Sequence, residues 1–256
     1  MAFLQIQFFS AALNVASTVN VILPEADQGI GMDGSDGDNP PDVLYLLHGY
    51  SDDHSIWMRR TSVERYAASH NLAVIMPAVN HSFYCNEVTG ERYWDYVSEE
   101  LPMVMHRFLR LTDDPDRTFV AGLSKGGYGA MRLALTYPDR FGAAASFSGA
   151  VDIADTFTQD NNSVEIRRVF GSLKHIRGSE ADNYFLMKEN AEAWHKPRLY
   201  VSCGTADFLY PQHLRFVPEL KKYGWDVTAV KKKGAVHEWG FWDEQIHAFI
   251  DFIYEE

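Results

Sequence analysis

Short, unbroken apolar runs recur along this chain, and helical stretches separate them. Residues 43–47 (VLYLL) and 72–76 (LAVIM) are such runs, and 118–121, 143–147 and 198–202 read as further strands. A strand that is apolar at every position suits a sheet covered on both faces, because its side chains alternate between the two. Residues 62–69, 99–111, 125–136, 211–223 and 241–254 read as helices, and 225–230 as a last strand. Residues 3–9 and 19–23 precede them as a hairpin. Strand then helix, repeated, predicts an α/β chain: a mostly parallel twisted sheet with helices on both faces. The 256 residues fit one such domain over 1–256. The polar, irregular stretch 151–194, after the sixth strand, is long enough to form a small cap over a pocket.

In sheets of this kind, sites form beyond the carboxyl ends of the strands. Four such places carry chemistry. Gly122-Leu123-Ser124-Lys125-Gly126 is a G-x-S-x-G between a buried run and an amphipathic helix. There a serine occupies a strained turn, and the glycines let strand and helix approach. The bend aims backbone N–H groups at whatever the hydroxyl attacks. A serine needs a base to take its proton, and the base needs a carboxylate to orient it. The acids downstream are Asp182, Glu192, Asp207 and Asp226. Asp207, in LYVSCGTADFL, stands directly after a buried strand and is the best placed. Of the histidines, His175, His195, His213 and His247 lie in helices or before the last strands. His237 follows the last strand and precedes the last helix, where a loop can carry an imidazole over the sheet edge. Two N–H donors must hold a tetrahedral oxyanion. The residue after the nucleophile, Lys125, supplies one. The loop His48-Gly49-Tyr50, after the run 43–47, supplies the other through Tyr50. His48 precedes the serine in the chain and reads as a loop-shaping residue. An elbow turns neighbouring side chains apart, so the Lys125 ammonium is expected away from the nucleophile, in a polar or ion-paired niche.

Composition excludes other classes. The formal charge of -12 argues against nucleic acid or an anionic membrane surface as partner, and Lys231–Lys233 reads as a solvated strand end. Cys85 and Cys203 are too few and too far apart for a disulfide framework or a metal site. The Asp-rich stretch 27–42 lacks the glutamate that a calcium loop needs at its twelfth position, and reads as a connection between strands. The first residues have no basic region followed by a long apolar one, and no run reaches the ~18 residues of a membrane span. The chain is therefore expected to be soluble and cytoplasmic.

Several motifs carry a family resemblance: Val19-Asn20-Val21, LLHG with Trp57 beyond it, R-x-S-V-E-R at 60–65, EELP at 99–102, AGLSKGGYGA, Phe147-Ser148-Gly149, CGTADFLY and His237-Glu238-Trp239. Over nearly its whole length the chain resembles the esterase D and S-formylglutathione hydrolase-like branch of the α/β-hydrolases, bacterial tributyrin esterases above all. The resemblance implies the α/β-hydrolase fold and a serine carboxylesterase for short acyl esters, with no cofactor and no metal. It implies Ser124, Asp207 and His237 as the catalytic residues, and Tyr50 and Lys125 as oxyanion donors. Gly49, Trp94 and Trp239 are candidates to line the substrate pocket. The family usually has an uncharged residue where Lys125 stands, and often another where Tyr50 stands, but both act through the backbone. A feruloyl or acetyl-sugar esterase, a thioesterase acting on S-formylglutathione, an acyltransferase and an inactive binding module are the rival readings. The expected partner is a small ester, with a homo-oligomer as a further possibility.

Overall fold

Alternation within each apolar run builds two cores at once. A computed structural model describes residues 1–26, 30, 39–157 and 163–255. Eight strands form one sheet: β1 (Ala2–Ser10), β2 (Val15–Leu23), β3 (Asp42–Leu47), β4 (Leu72–Pro77), β5 (Thr118–Leu123), β6 (Ala143–Phe147), β7 (Arg198–Gly204) and β8 (Val227–Lys232). Their order is β1-β2-β4-β3-β5-β6-β7-β8. Strands β3 to β8 run parallel, and the β1–β2 hairpin joins them antiparallel through β4. All six positions of β3 and of β4 are buried.

The helices are α1 (Ile56–Arg60), α2 (Val63–Ala68), α3 (Tyr93–Asp95), α4 (Leu101–Phe108), α5 (Lys125–Thr136), α6 (Ile153–Thr156), α7 (Val164–Phe170), α8 (Asn183–Glu189), α9 (Tyr210–Lys222) and α10 (Trp239–Tyr254). Val43, Tyr45 and Leu47 of β3 face the core beneath α5, α8 and α9. Leu44 and Leu46 face the opposite core, beneath α1, α2 and α10. This two-sided burial is why the run carries no polar residue. A third cluster joins Ile153, Ile166, Val169 and Phe170, from the insert after β6, to Phe83 and to Tyr128 of α5. Among the described residues, no helix is long and apolar enough to cross a membrane.

Three local departures have identifiable causes. The helix expected over 99–111 begins at α3, passes through a π-helical turn (Tyr96–Glu100), and continues as α4. Pro102 has no N–H for the Ser98 carbonyl, and Arg140 Nη2 donates to that carbonyl instead, at 2.6 Å. The last strand lies two residues later than expected. Trp225 stays outside it because its buried indole N–H donates to Met187 O at 2.9 Å. Most of the Asp-rich connection (27–29 and 31–38), and with it the calcium-loop reading, lies outside the described residues.

Candidate active site

From Phe119 to Leu135 every residue is buried except Ser124. It joins β5 to α5 with φ 52° and ψ −116°, a left-handed backbone that a non-glycine residue rarely adopts. Ser124 N–H donates to Phe147 O at 2.9 Å, and its carbonyl accepts from Tyr128 N–H and Ala150 N–H, both at 3.1 Å. The neighbouring glycines have steric reasons. A Cβ on Gly122 would lie 2.4 Å from the Gly126 carbonyl, and one on Gly126 would lie 2.3 Å from Leu47 O and 2.8 Å from His48 O. Helix α5 thus sits against the carboxyl end of β3. We expect Gly126→Ala to force that end away, at a cost of about 3 kcal/mol. Urea unfolding would measure it, and a change below about 1 kcal/mol would contradict the close approach.

The turn after β7 holds Asp207. Its Oδ1 accepts from Leu209 N–H at 2.8 Å, and its Oδ2 from His237 Nδ1 at 2.8 Å. Burial opposes ionisation of this carboxyl, but the bonds from His237 and Leu209, with Ser148 close by, outweigh burial and hold it below the usual carboxylate range. A carboxylate only accepts, so Nδ1 of His237 carries the proton and Nε2 keeps its lone pair. The imidazole is fixed by the Trp242 ring, edge-on at 4.8 Å, and by Phe208 at 4.7 Å. Close packing sets this loop too, since a Cβ on Gly204 would lie 2.2 Å from Ala235 O.

The loop after β3 is bonded at each residue. Leu47 O accepts from Trp57 Nε1 at 3.1 Å, and His48 O from the Tyr84 hydroxyl at 2.9 Å. His48 Nδ1 donates to Gly49 O at 2.8 Å while its Nε2 accepts from Val79 N–H at 3.0 Å. That pattern requires the neutral ring, and burial, followed by the nearby Lys125, lowers His48 well below its ordinary value. His48 therefore shapes the loop, as its place in the chain suggested. Gly49 N–H donates to Asp52 Oδ2 at 3.2 Å. The Tyr50 ring stacks on His81 at 4.1 Å and tilts over Phe83 at 5.6 Å.

Lys125 is 1% exposed. Its ammonium turns away from the elbow, donates to Asn80 O, and lies 5.2 Å from the Tyr84 ring centre. Burial lowers it to about 7, against the opposing pull of Asp52. The expected polar niche is this one, and it ties the elbow to the segment that also holds His48.

Trp239 stands beside the histidine loop, edge-on to Trp57 at 5.3 Å and to Trp242 at 5.1 Å. Trp94 does not join the site. Its ring is buried, stacked on Tyr137 at 5.9 Å, with the Arg132 guanidinium 3.8 Å from its centre. Trp94 thus belongs to the core, and its edge lines a separate cavity with Cys85, Arg132, Val169 and Phe170. The other candidate bases are engaged elsewhere. His247 stacks on Tyr66 at 4.1 Å, and His195 Nε2 contacts Phe141 O at 3.2 Å. His213 is buried beside Tyr210 and held neutral, lowered by burial to about 4. Asp182 caps α8 by accepting from Tyr184 N–H. Sequence reasoning missed Ser148, buried with φ 47° between the elbow and Asp207, and it passed over Phe208 and Trp242 around the imidazole.

Comparison with known proteins agrees with this fold. A family profile described as "Putative esterase" matches residues 10–250. An acetyl esterase of Caldicellulosiruptor saccharolyticus is 32% identical, with 96% of each chain covered. The substrate-bound structure of a fluorophosphonate-binding serine hydrolase of Staphylococcus aureus is 33% identical, with a TM-score of 0.87 over 100% of this chain and 99% of that one. The apoenzyme structure of an S-formylglutathione hydrolase from Staphylococcus aureus is 34% identical, with a TM-score of 0.84 over 99% of both.

Proposed function

This chain belongs to the esterase family of α/β-hydrolases and acts on ester bonds, and from that premise we propose that Ser124, His237 and Asp207 carry the reaction as a catalytic triad. The observation that carries the reading is the Asp207–His237 bond of 2.8 Å at the same carboxyl end of the sheet as the half-buried serine of the elbow. It selects the tautomer whose Nε2 accepts a proton.

The enzyme is a serine carboxylesterase for short-chain acyl esters. Nε2 of His237 takes the Ser124 proton as Oγ attacks the ester carbonyl. The oxyanion rests on the N–H groups of Lys125 and Tyr50. Lys125 is the first residue of α5, where an N–H has no partner within the helix. The carbon–oxygen bond to the alcohol then breaks, and the imidazolium protonates the departing oxygen. Water, deprotonated by the same Nε2, attacks the acyl-enzyme and releases the acid. Asp207 stays ionised and stabilises the imidazolium. The helices between β6 and β7 act as a cap on this edge, with Tyr50, Phe83 and Phe157 forming an aromatic rim; Phe83 and Phe157 meet edge-on at 5.0 Å. Cys85 and Cys203 are buried free thiols, which suits a cytoplasmic location.

A thioester substrate is the second reading, favoured by the 34% identity to an S-formylglutathione hydrolase. A panel of acetyl, butyryl and feruloyl esters with an S-formyl thioester ranks the substrates. The triad itself is tested with a fluorophosphonate. One adduct per chain, on the peptide holding Ser124, is expected. No adduct, or one on another residue, would overturn the assignment and favour the binding-module reading.

A further inference from the structure

The sheet ends in two edges of opposite character. Strand β8 carries Lys231 and Lys232, and Lys232 is ion-paired to Glu244. Strand β1, Ala2-Phe-Leu-Gln-Ile-Gln-Phe-Phe-Ser10, has no charged residue and no proline. It pairs with β2 in one register from Ala2↔Leu23 to Ser10↔Val15, with no bulge. Natural sheet edges are normally blunted by charges, prolines or bulges, because an open edge recruits another strand. This one has none of these.

We propose that β1 is a dimerisation edge, where two copies of this chain pair antiparallel about a two-fold axis through Ile6. Register decides the axis. Alternate residues of an edge strand turn their N–H and C=O outward, so paired residues must share parity. Side chains of one parity also share a face. An axis through Ile6 sets Phe3 opposite Phe9, Leu4 opposite Phe8, Gln5 opposite Gln7, and Ile6 opposite itself. From Phe3 to Phe9 like meets like, and only the outermost pair, Ala2 and Ser10, is mixed. An axis through Gln5 or Gln7 instead sets Phe3 against Gln7, or Gln5 against Phe9. The hydropathy of residues 3–9 is thus a palindrome about Ile6, which nothing in the β1–β2 pairing requires.

Exposure and charge fit the same occupant. Phe3 is 51% and Phe9 66% exposed, at the two ends of the outer face, and each would be covered by the other in a second copy. The chain's charge of -12 opposes association in general, but this seam brings no like charges together. The edge is also held in shape. Glu100, at the end of the π-helical turn, accepts from the Ser10 hydroxyl, from Ala11 N–H at 2.6 Å and from Ala12 N–H at 3.3 Å, and Phe8 stacks on Tyr96 at 6.2 Å. A rigid edge loses little freedom on pairing. Strands β2, β4 and β3 separate β1 from β5 and its elbow.

Sedimentation velocity in the micromolar range should give 58.2 kDa, twice the 29.1 kDa of the chain. Gln5→Lys with Gln7→Lys brings like charges opposite each other and should sediment as the monomer, with ester turnover and circular dichroism kept. Gln5→Lys with Gln7→Glu brings opposite charges together and should restore the dimer. A monomeric wild type overturns the proposal. So does a lysine–lysine variant that stays dimeric, or a pair of variants that behave alike.

Discussion

Replacing Ser124 with alanine should lower kcat/KM on p-nitrophenyl acetate by about 10⁴- to 10⁶-fold without unfolding the protein. The loss follows from the proposed mechanism, since no other group can form the acyl-enzyme. The fold should survive because the elbow is pinned by backbone atoms that alanine keeps. Ser124 N–H reaches Phe147 O, and Ser124 O receives Tyr128 and Ala150 N–H. The left-handed φ is no harder for alanine than for serine. Removing His237 as well should cost little more, because the residues act as one unit. Steady-state rates with matched circular dichroism are the measurement. Activity within tenfold of wild type would remove Ser124 from the chemistry.

The fold was legible because each central strand must satisfy two cores. Val43, Tyr45 and Leu47 on one side and Leu44 and Leu46 on the other leave no polar position, and that demand shows in a single sequence. The candidate site was legible for a related reason. A sheet of this kind exposes its strand ends, so Ser124, Asp207 and His237 could be picked as chemically capable residues directly after a strand. What escaped depends on contacts between distant segments. The Lys125 niche is made by Asn80 and Tyr84, in an aperiodic loop more than forty residues earlier. Trp94 sits in an aromatic stretch that looks like a pocket wall, and only its meeting with Arg132 and Tyr137 shows it to be core. The π-helical turn arises from Pro102 together with Arg140, and neither predicts it alone. Ser148 stood in the sequence only as the middle of the Phe147-Ser148-Gly149 motif, because a positive φ at a non-glycine residue is written in the packing around it.

Lys125→Met should remove a pH dependence of stability that the wild type carries. The folded chain releases the Lys125 proton near 7, and the unfolded chain holds its proton up to about 10.5. Between those values the unfolded state binds more protons, so wild-type stability rises with pH through the window. Below it, both states are protonated and the full cost of burying an ammonium stands. Methionine carries no proton and has no such window. The stability of the variant relative to wild type should therefore be greatest below pH 7 and fall by roughly 3 kcal/mol by about pH 9.5. Losing the Asn80 bond and the Tyr84 contact shifts the whole comparison, but by an amount that does not follow pH. Urea midpoints on both sides of the window read the slope directly. A constant difference would mean that Asp52 keeps the ammonium charged in the folded protein. The tie between the elbow and the His48 loop would then be an ion pair, and Asp52, through its bond to Gly49 N–H, would become the residue that couples Lys125 to the oxyanion side of the site.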